Sequence, residues 1–254
     1  MLACYFFLLL ASNYLCEGSI RVVYTHAEDR FAALEVRRYL YAAGKTDGSL
    51  CLMEKAEPTH LDALVATSTY NHTIIVTRGL EPSFTPSTLV SNLVGQAQSN
   101  GQLAQGAHVL RTMPCYSSSS HKAHILVGSD KTSVLHAAYT FAERGLGVFF
   151  QVSGDILPAQ AESGPHIPNL DVVETPIFAQ RGLQPFHDFA SGPDWWSEDD
   201  YKAIASNIAK MKMNFLGLHT YPWAAAQGTG KNEPTVWVGT KNDLNSDGSI
   251  KPQL

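Results

Sequence analysis

Side chains able to recognise a polar ligand gather in the last third of the chain. Arg181 opens the phrase Arg181-Gly182-Leu183, and His187-Asp188, Trp195-Trp196 and the set His219, Tyr221 and Trp223 follow it. A planar guanidinium with five fixed donors suits vicinal hydroxyls or a carboxylate. Imidazole and carboxylate groups hydrogen-bond polar ring substituents, and indole faces stack on flat apolar ones. Adjacent strand residues point opposite ways, so only one of His187 and Asp188 is expected to face a shared pocket. Acid–base chemistry is less well supplied. Glu198, Asp199 and Asp200 fall in the first turn of an expected helix, where negative charge favours the macrodipole, and no pair of carboxylates across a cleft is indicated.

Other polar motifs carry weaker signals. Asp243 to Ile250 fits the first eight positions of a calcium loop, but Leu254 stands where a bidentate Glu belongs and Pro252 intrudes, so a polar turn is expected. His121 and His124 lack a third ligand at metal-binding spacing. No metal and no cofactor is expected. Asn71-His72-Thr73 is a glycosylation acceptor triplet if the host is a eukaryote. Cys51 and Cys115 form either one disulfide or two separate buried thiols in an oxidising compartment.

That compartment is suggested by the first residues. Ala3 to Ala11 is a short apolar run, followed by polar and small residues up to Gly18, which reads as a secretory signal peptide over residues 1–18 despite the missing Lys or Arg at its start. The run is too short to span a bilayer, and no later segment does better. A buried N-terminal strand is the other reading of the same residues. Cleavage after Gly18 would remove Cys4 and Cys16 and leave a secreted or lumenal protein.

The scaffold begins with a β-branched run from Ile20 to Thr25. A helix follows with Ala32, Val36, Tyr39, Leu40 and Ala43 on one face, closed by Gly44. Strands are expected at Ser49 to Met53, Thr73 to Thr77, His108 to Thr112 and His124 to Val127, with Tyr116 to His121 as the loop of a hairpin. Pro86 to Gln105 is ambiguous between helix and loop, because Gly95 and Gly101 interrupt its helical spacing. Gly128-Ser129-Asp130 opens the clearest helix, with Val134, Leu135, Ala138, Phe141 and Ala142 on one stripe and Gly145 at its end. A buried strand from Gly147 to Val152 and a proline-bearing linker from Leu157 to Asn169 come next. After Leu170 the order is a strand, a helix capped by Ser197 with the stripe Tyr201, Ile204, Ala205, Ile208 and Met211, and a buried strand at Asn214 to His219, the opening of a β/α repeat. Ligands bind at the carboxyl ends of such strands. The expected domains are 19–169 and 170–254.

Composition bounds the function classes. The chain has 254 residues, 44% apolar, 16% charged and 10% aromatic, with 18 Lys and Arg against 23 Asp and Glu and a net charge of −5. That is globular, and it excludes a disordered tail, a collagen and a coiled coil. It carries no basic block, so neither nucleic acid nor an anionic membrane is an expected partner.

Taken together, Ile125-Leu126-Val127-Gly128, the helix through Ala137-Ala138-Tyr139, Gly145-Leu146-Gly147-Val148-Phe149-Phe150 and Ile156-Leu157-Pro158 resemble the N-terminal α/β domain of family 20 glycoside hydrolases and of α-glucuronidases, often described as zincin-like. Residues from Phe178 onward resemble the first strands of the catalytic TIM barrel in the same enzymes. The resemblance implies an α/β fold, an α+β N-terminal domain with two helices on a mixed sheet, followed by an incomplete (β/α) barrel. It implies a carbohydrate substrate, with Arg181 on hydroxyls of the terminal sugar and His187, Asp188, Trp195, Trp196, His219 and Tyr221 as further substrate-binding residues. A structural ion pair for Arg181, and core positions for one of the tryptophans, are the competing assignments. A complete barrel needs roughly 250 residues, and Leu170 to Leu254 has room for two or three strands. The family's catalytic carboxylates lie later in the barrel, so the expectation is the N-terminal portion of a secreted exo-acting hydrolase, not catalytic alone, whose partner is the remainder of the barrel. A non-catalytic secreted module that binds glycan or protein, and a truncated gene product without function, are the alternatives.

Overall fold

The computed structural model describes residues 20–44, 52–79, 88–99, 105–159, 167–185 and 192–218, together with positions 242, 245, 246 and 251. Two compact units result: Met1–Ala179 with Ala209–Lys212, and Gln180–Ile208 with Met213–Leu254.

The first unit is an α/β layer structure. Its strands are β1 (Ile20–Tyr24), β2 (Leu52–Lys55), β3 (His72–Arg78), β4 (His108–Cys115), β5 (Ser118–Gly128) and β8 (Asp171–Glu174). They form one sheet in the order β2-β1-β3-β5-β4-β8. The first four in that order are parallel, while β4 runs antiparallel to β5 and to β8. Because side chains alternate across a strand, Ile74, Val76 and Leu126 face one way and Ile75, Ile125 and Val127 the other. On the first face they pack against α1 (Arg30–Ala42) and α4 (Lys131–Leu146), through Val36, Leu40, Val134 and Phe141. On the second they meet α2 (Leu61–Thr67) and α3 (Thr88–Ser99), through Leu61, Val65, Val90 and Leu93. The two expected helices therefore cover one face, and two further helices cover the other.

Several local expectations are adjusted. The serine run is not a loop, since only Tyr116 and Ser117 turn and β5 starts at Ser118. Helix α4 ends one residue past Gly145, and its left-handed cap is Gly147 at φ 76°, a conformation that an L side chain adopts only with strain. Its start is as expected: Asp130 accepts from the Ser133 N–H, and the Asp130 N–H donates to Ser133 Oγ. After it, β6 (Phe149–Gln151) pairs only with β7 (Gly154–Ile156) in a hairpin outside the main sheet. Phe150 is buried there, but Phe149 is exposed. Ile167 and Leu170, at the end of the expected linker, belong to the core. Strand β8, expected in the second domain, is an outer strand of the first unit's sheet, and the division between the units falls after Ala179.

The second unit contains β9 (Gly182–Leu183), a 3-10 turn (Pro193–Trp195), the helix α5 (Glu198–Lys210) up to Ile208, and β10 (Phe215–Leu216). β9 and β10 pair in parallel, Gly182 opposite Phe215 and Leu183 opposite Leu216.

Candidate functional site

Parallel strands joined through a helix bring their carboxyl ends to one side. In the second unit, Leu183 and Leu216 are neighbours, so Gln184 and Gly217 leave the sheet together, held by the Gly217 N–H donating to the Leu183 carbonyl at 2.8 Å. His187 and Asp188 follow the first of these exits, and His219, Tyr221 and Trp223 the second. All five lie outside the described residues, as do Asp243 and Asp247 of the calcium-like turn.

Arg181 stands at the other end of β9, partly exposed. Its peptide is clamped on both sides by one residue: Asn214 Oδ1 accepts from the Arg181 N–H at 2.9 Å, and the Asn214 N–H donates to the Arg181 carbonyl at 2.8 Å. Gly182 makes this close pairing possible, since a Cβ there would run into the Phe215 carbonyl. Sequence reasoning missed Asn214, whose role shows only once the two strands are paired.

The two tryptophans have different surroundings. Trp196 meets the Tyr201 ring edge-on at 5.2 Å, and Tyr201 OH donates to the Pro193 carbonyl at 3.0 Å. Trp195, in the same turn, is 72% exposed. Ser197 and Asp200 close the start of α5, with Ser197 Oγ donating to Asp200 Oδ2 at 2.8 Å, which holds the Asp200 carboxyl below its ordinary value. Glu198 and Asp199 share Lys202 as an ion-pair partner on the helix surface. These carboxylates act as helix-end groups.

The first unit holds a second polar cluster that the sequence did not announce. Strand β1 connects outward to β2 while β3 leads the other way, so the ends of β1 and β3 mark the point where the strand order reverses, a favoured place for ligands in such sheets. There Thr25 Oγ1 lies 2.8 Å from Thr77 Oγ1 and 2.9 Å from His26 Nδ1. His26 Nδ1 is 3.1 Å from Asp29 Oδ2, and Arg78 Nε is 3.1 Å from Asp29 Oδ1. Arg78 Nη2 donates to Glu28 Oε2 at 3.0 Å. Burial pushes the Asp29 carboxyl up, against the pull of Arg78 and His26. The side chains of Asp29 and Arg78 are 1% and 4% exposed. A ligand would find them already covered, so the cluster braces the strand ends. Its one signal in the sequence is polar residues directly after β-branched runs, Thr25-His26 and Thr77-Arg78.

A third group spans the sheet. His72 Nδ1 lies 2.9 Å from His124 Nε2, and His124 Nδ1 2.9 Å from Thr112 Oγ1, which accepts from the Leu170 N–H. Burial holds the His124 imidazole neutral, with its pKa lowered to about 3. His121 instead faces the Ser68 carbonyl. Residues three apart on a strand point to opposite faces, which separates the two histidines of the weak metal motif. Among the described residues no group of three or more His, Cys, Asp or Glu is placed to hold a metal. Cys115 is a buried free thiol, and Cys51 lies outside the described residues. Among the described residues no helix is long and apolar enough to cross a membrane.

No protein-family model matches the chain, and no curated protein matches it. Among solved structures it is similar to CpGH84D, a family 84 glycoside hydrolase, at 10% identity and a TM-score of 0.43. That match covers 80% of this chain and 28% of the other, so the chain spans little more than a quarter of the length of the structure it matches.

Proposed function

We propose that this chain is the N-terminal portion of a secreted, exo-acting glycoside hydrolase. In this reading residues 180–254 open a (β/α)8 barrel whose carboxyl face receives the terminal sugar. The observation that carries it is the parallel, in-register pairing of β9 and β10, whose carboxyl ends lie side by side and lead into two stretches of sequence rich in polar and aromatic residues. His187 or Asp188 and, after the second strand in sequence, His219 and Tyr221 hydrogen-bond ring hydroxyls, and Trp195 stacks on a sugar face. Trp196, packed on Tyr201, supports that turn. Arg181 enters on the resemblance alone, since its peptide stands at the start of β9, about 10 Å of strand before Gln184. The acid and base come from carboxylates outside these residues.

The test is Arg181→Ala in the full-length enzyme. Loss of a charge-assisted hydrogen bond of about 1.5–3 kcal/mol lowers kcat/KM by roughly 10- to 100-fold. Unchanged efficiency on every glycoside the enzyme cleaves would sink the assignment of Arg181, and a full-length protein that cleaves no glycoside would sink the hydrolase reading and favour a non-catalytic binding module. Secretion is checked separately, by finding the mature chain in the medium of an expressing cell with Ser19 as its first residue.

A further inference from the structure

Asn71 begins the only Asn-x-Ser/Thr triplet in the chain, so any N-linked glycan reports on one position. It stands exposed in the bend that leads into β3. The bend is well defined: Ser68 Oγ accepts from the Tyr70 N–H, Arg21 stacks 5.3 Å from the centre of the Tyr70 ring, and the Asn71 carbonyl accepts from the Lys122 N–H at 2.9 Å. The third residue of the triplet is in the opposite situation. Thr73 is 0% exposed, lies between Arg21 of β1 and Ala123 of β5, and places its hydroxyl 2.6 Å from Ser68 Oγ.

We propose that Asn71 is an N-glycosylation site that is filled before the first unit folds. The acceptor triplet is recognised through its third residue as well as its asparagine. In the folded chain Asn71 is accessible while Thr73 is walled in by two neighbouring strands, so the transfer precedes the pairing of β3. The donor is a lipid pyrophosphate-linked oligosaccharide. A bond forms between Asn71 Nδ2 and the anomeric carbon, the bond from that carbon to phosphate breaks, the lipid pyrophosphate leaves, and the amide loses one proton. The exposed bend then carries the glycan after folding without displacing a core side chain. It leaves from the amino end of β3, away from the Thr25 and Arg78 cluster at the carboxyl end.

This inference rests on the proposed secretion but not on the glycosidase reading. The experiment expresses the whole chain in a eukaryotic secretory host twice, once with its own first 18 residues and once with an established secretory leader in their place. The expected result is an endoglycosidase-sensitive mobility shift that Asn71→Gln and Thr73→Val abolish and Thr73→Ser retains. A shift with the replaced leader alone overturns the secretion reading and supports the site. No shift with either leader overturns the site. For the timing, unglycosylated folded chain and a peptide covering residues 68–75 are offered to oligosaccharyltransferase with the lipid-linked donor. Transfer to the peptide alone is expected, and equal transfer to the folded chain overturns the claim that modification comes first.

Discussion

Asp29 and Arg78 stand 49 residues apart in the sequence and 3.1 Å apart in space. Removing one partner of a buried ion pair leaves the other uncompensated, so Asp29→Ala should cost about 3 kcal/mol or more in urea unfolding. Glu28→Gln, at a carboxylate half in water, should cost far less. Equal effects would mean the cluster is not the brace described. His124 supplies a pH prediction. Its folded pKa is near 3 against an ordinary 6.5, so between those values the unfolded chain binds the extra proton. Stability then falls as pH drops through that window, by up to about 1.4 kcal/mol per unit, and is fully present above it. Glu174, lowered to about 2 chiefly by the hydrogen bond from His108, adds a loss of the same sign below its ordinary 4.5. Unfolding midpoints measured from pH 7 to pH 4 should show the decline, and a flat profile would contradict the burial of His124. None of these partnerships was legible in the sequence, because each depends on strands that meet only after the sheet is ordered.

At the scale of elements, legibility followed local chemistry. Helix α4 was readable because Asp130, Ser133 and the stripe from Val134 to Ala142 all signal the same thing within one segment. Asp130→Ala should remove that cap for about 1 kcal/mol of stability, and Gly147→Ala should cost about 1 kcal/mol through its left-handed backbone. Thermal melts of the two variants test both. Helix α2 was not readable and α3 was readable only as an ambiguity between helix and loop. The first has only seven residues, and the second carries Gly95, which costs helix propensity that packing of Val90 and Leu93 offsets. The serines of β5 have loop propensity, yet Ser118 pairs with Cys115 and the strand continues through the register shift that follows, tertiary context overriding composition. In the second unit the helix and β10 were legible from apolar runs, and β9 only through the resemblance at Arg181-Gly182-Leu183, since the strand expected from Leu170 is β8 of the first unit. The Asn214 clamp on Arg181 was not legible, since nothing in a lone Asn marks its partner.

Across the whole molecule, protection should follow the layers. β3 and β5 are covered on both faces and paired on both edges, so their amides should exchange slowest, while those of the β6–β7 hairpin and of β9 and β10 exchange earlier. Hydrogen-exchange mass spectrometry resolves this, and β3 peptides exchanging as fast as the hairpin would refute the layer order. The position of β8 also bears on any attempt to transplant the first unit as a module. Cutting at the proline-bearing stretch, where the composition invites the scissors, would strip β8 from β4 and take Leu170 from the core and from Thr112. The graft would then display a row of unsatisfied backbone groups along His108, Leu110 and Thr112, and such a bare margin is adhesive toward its own copies.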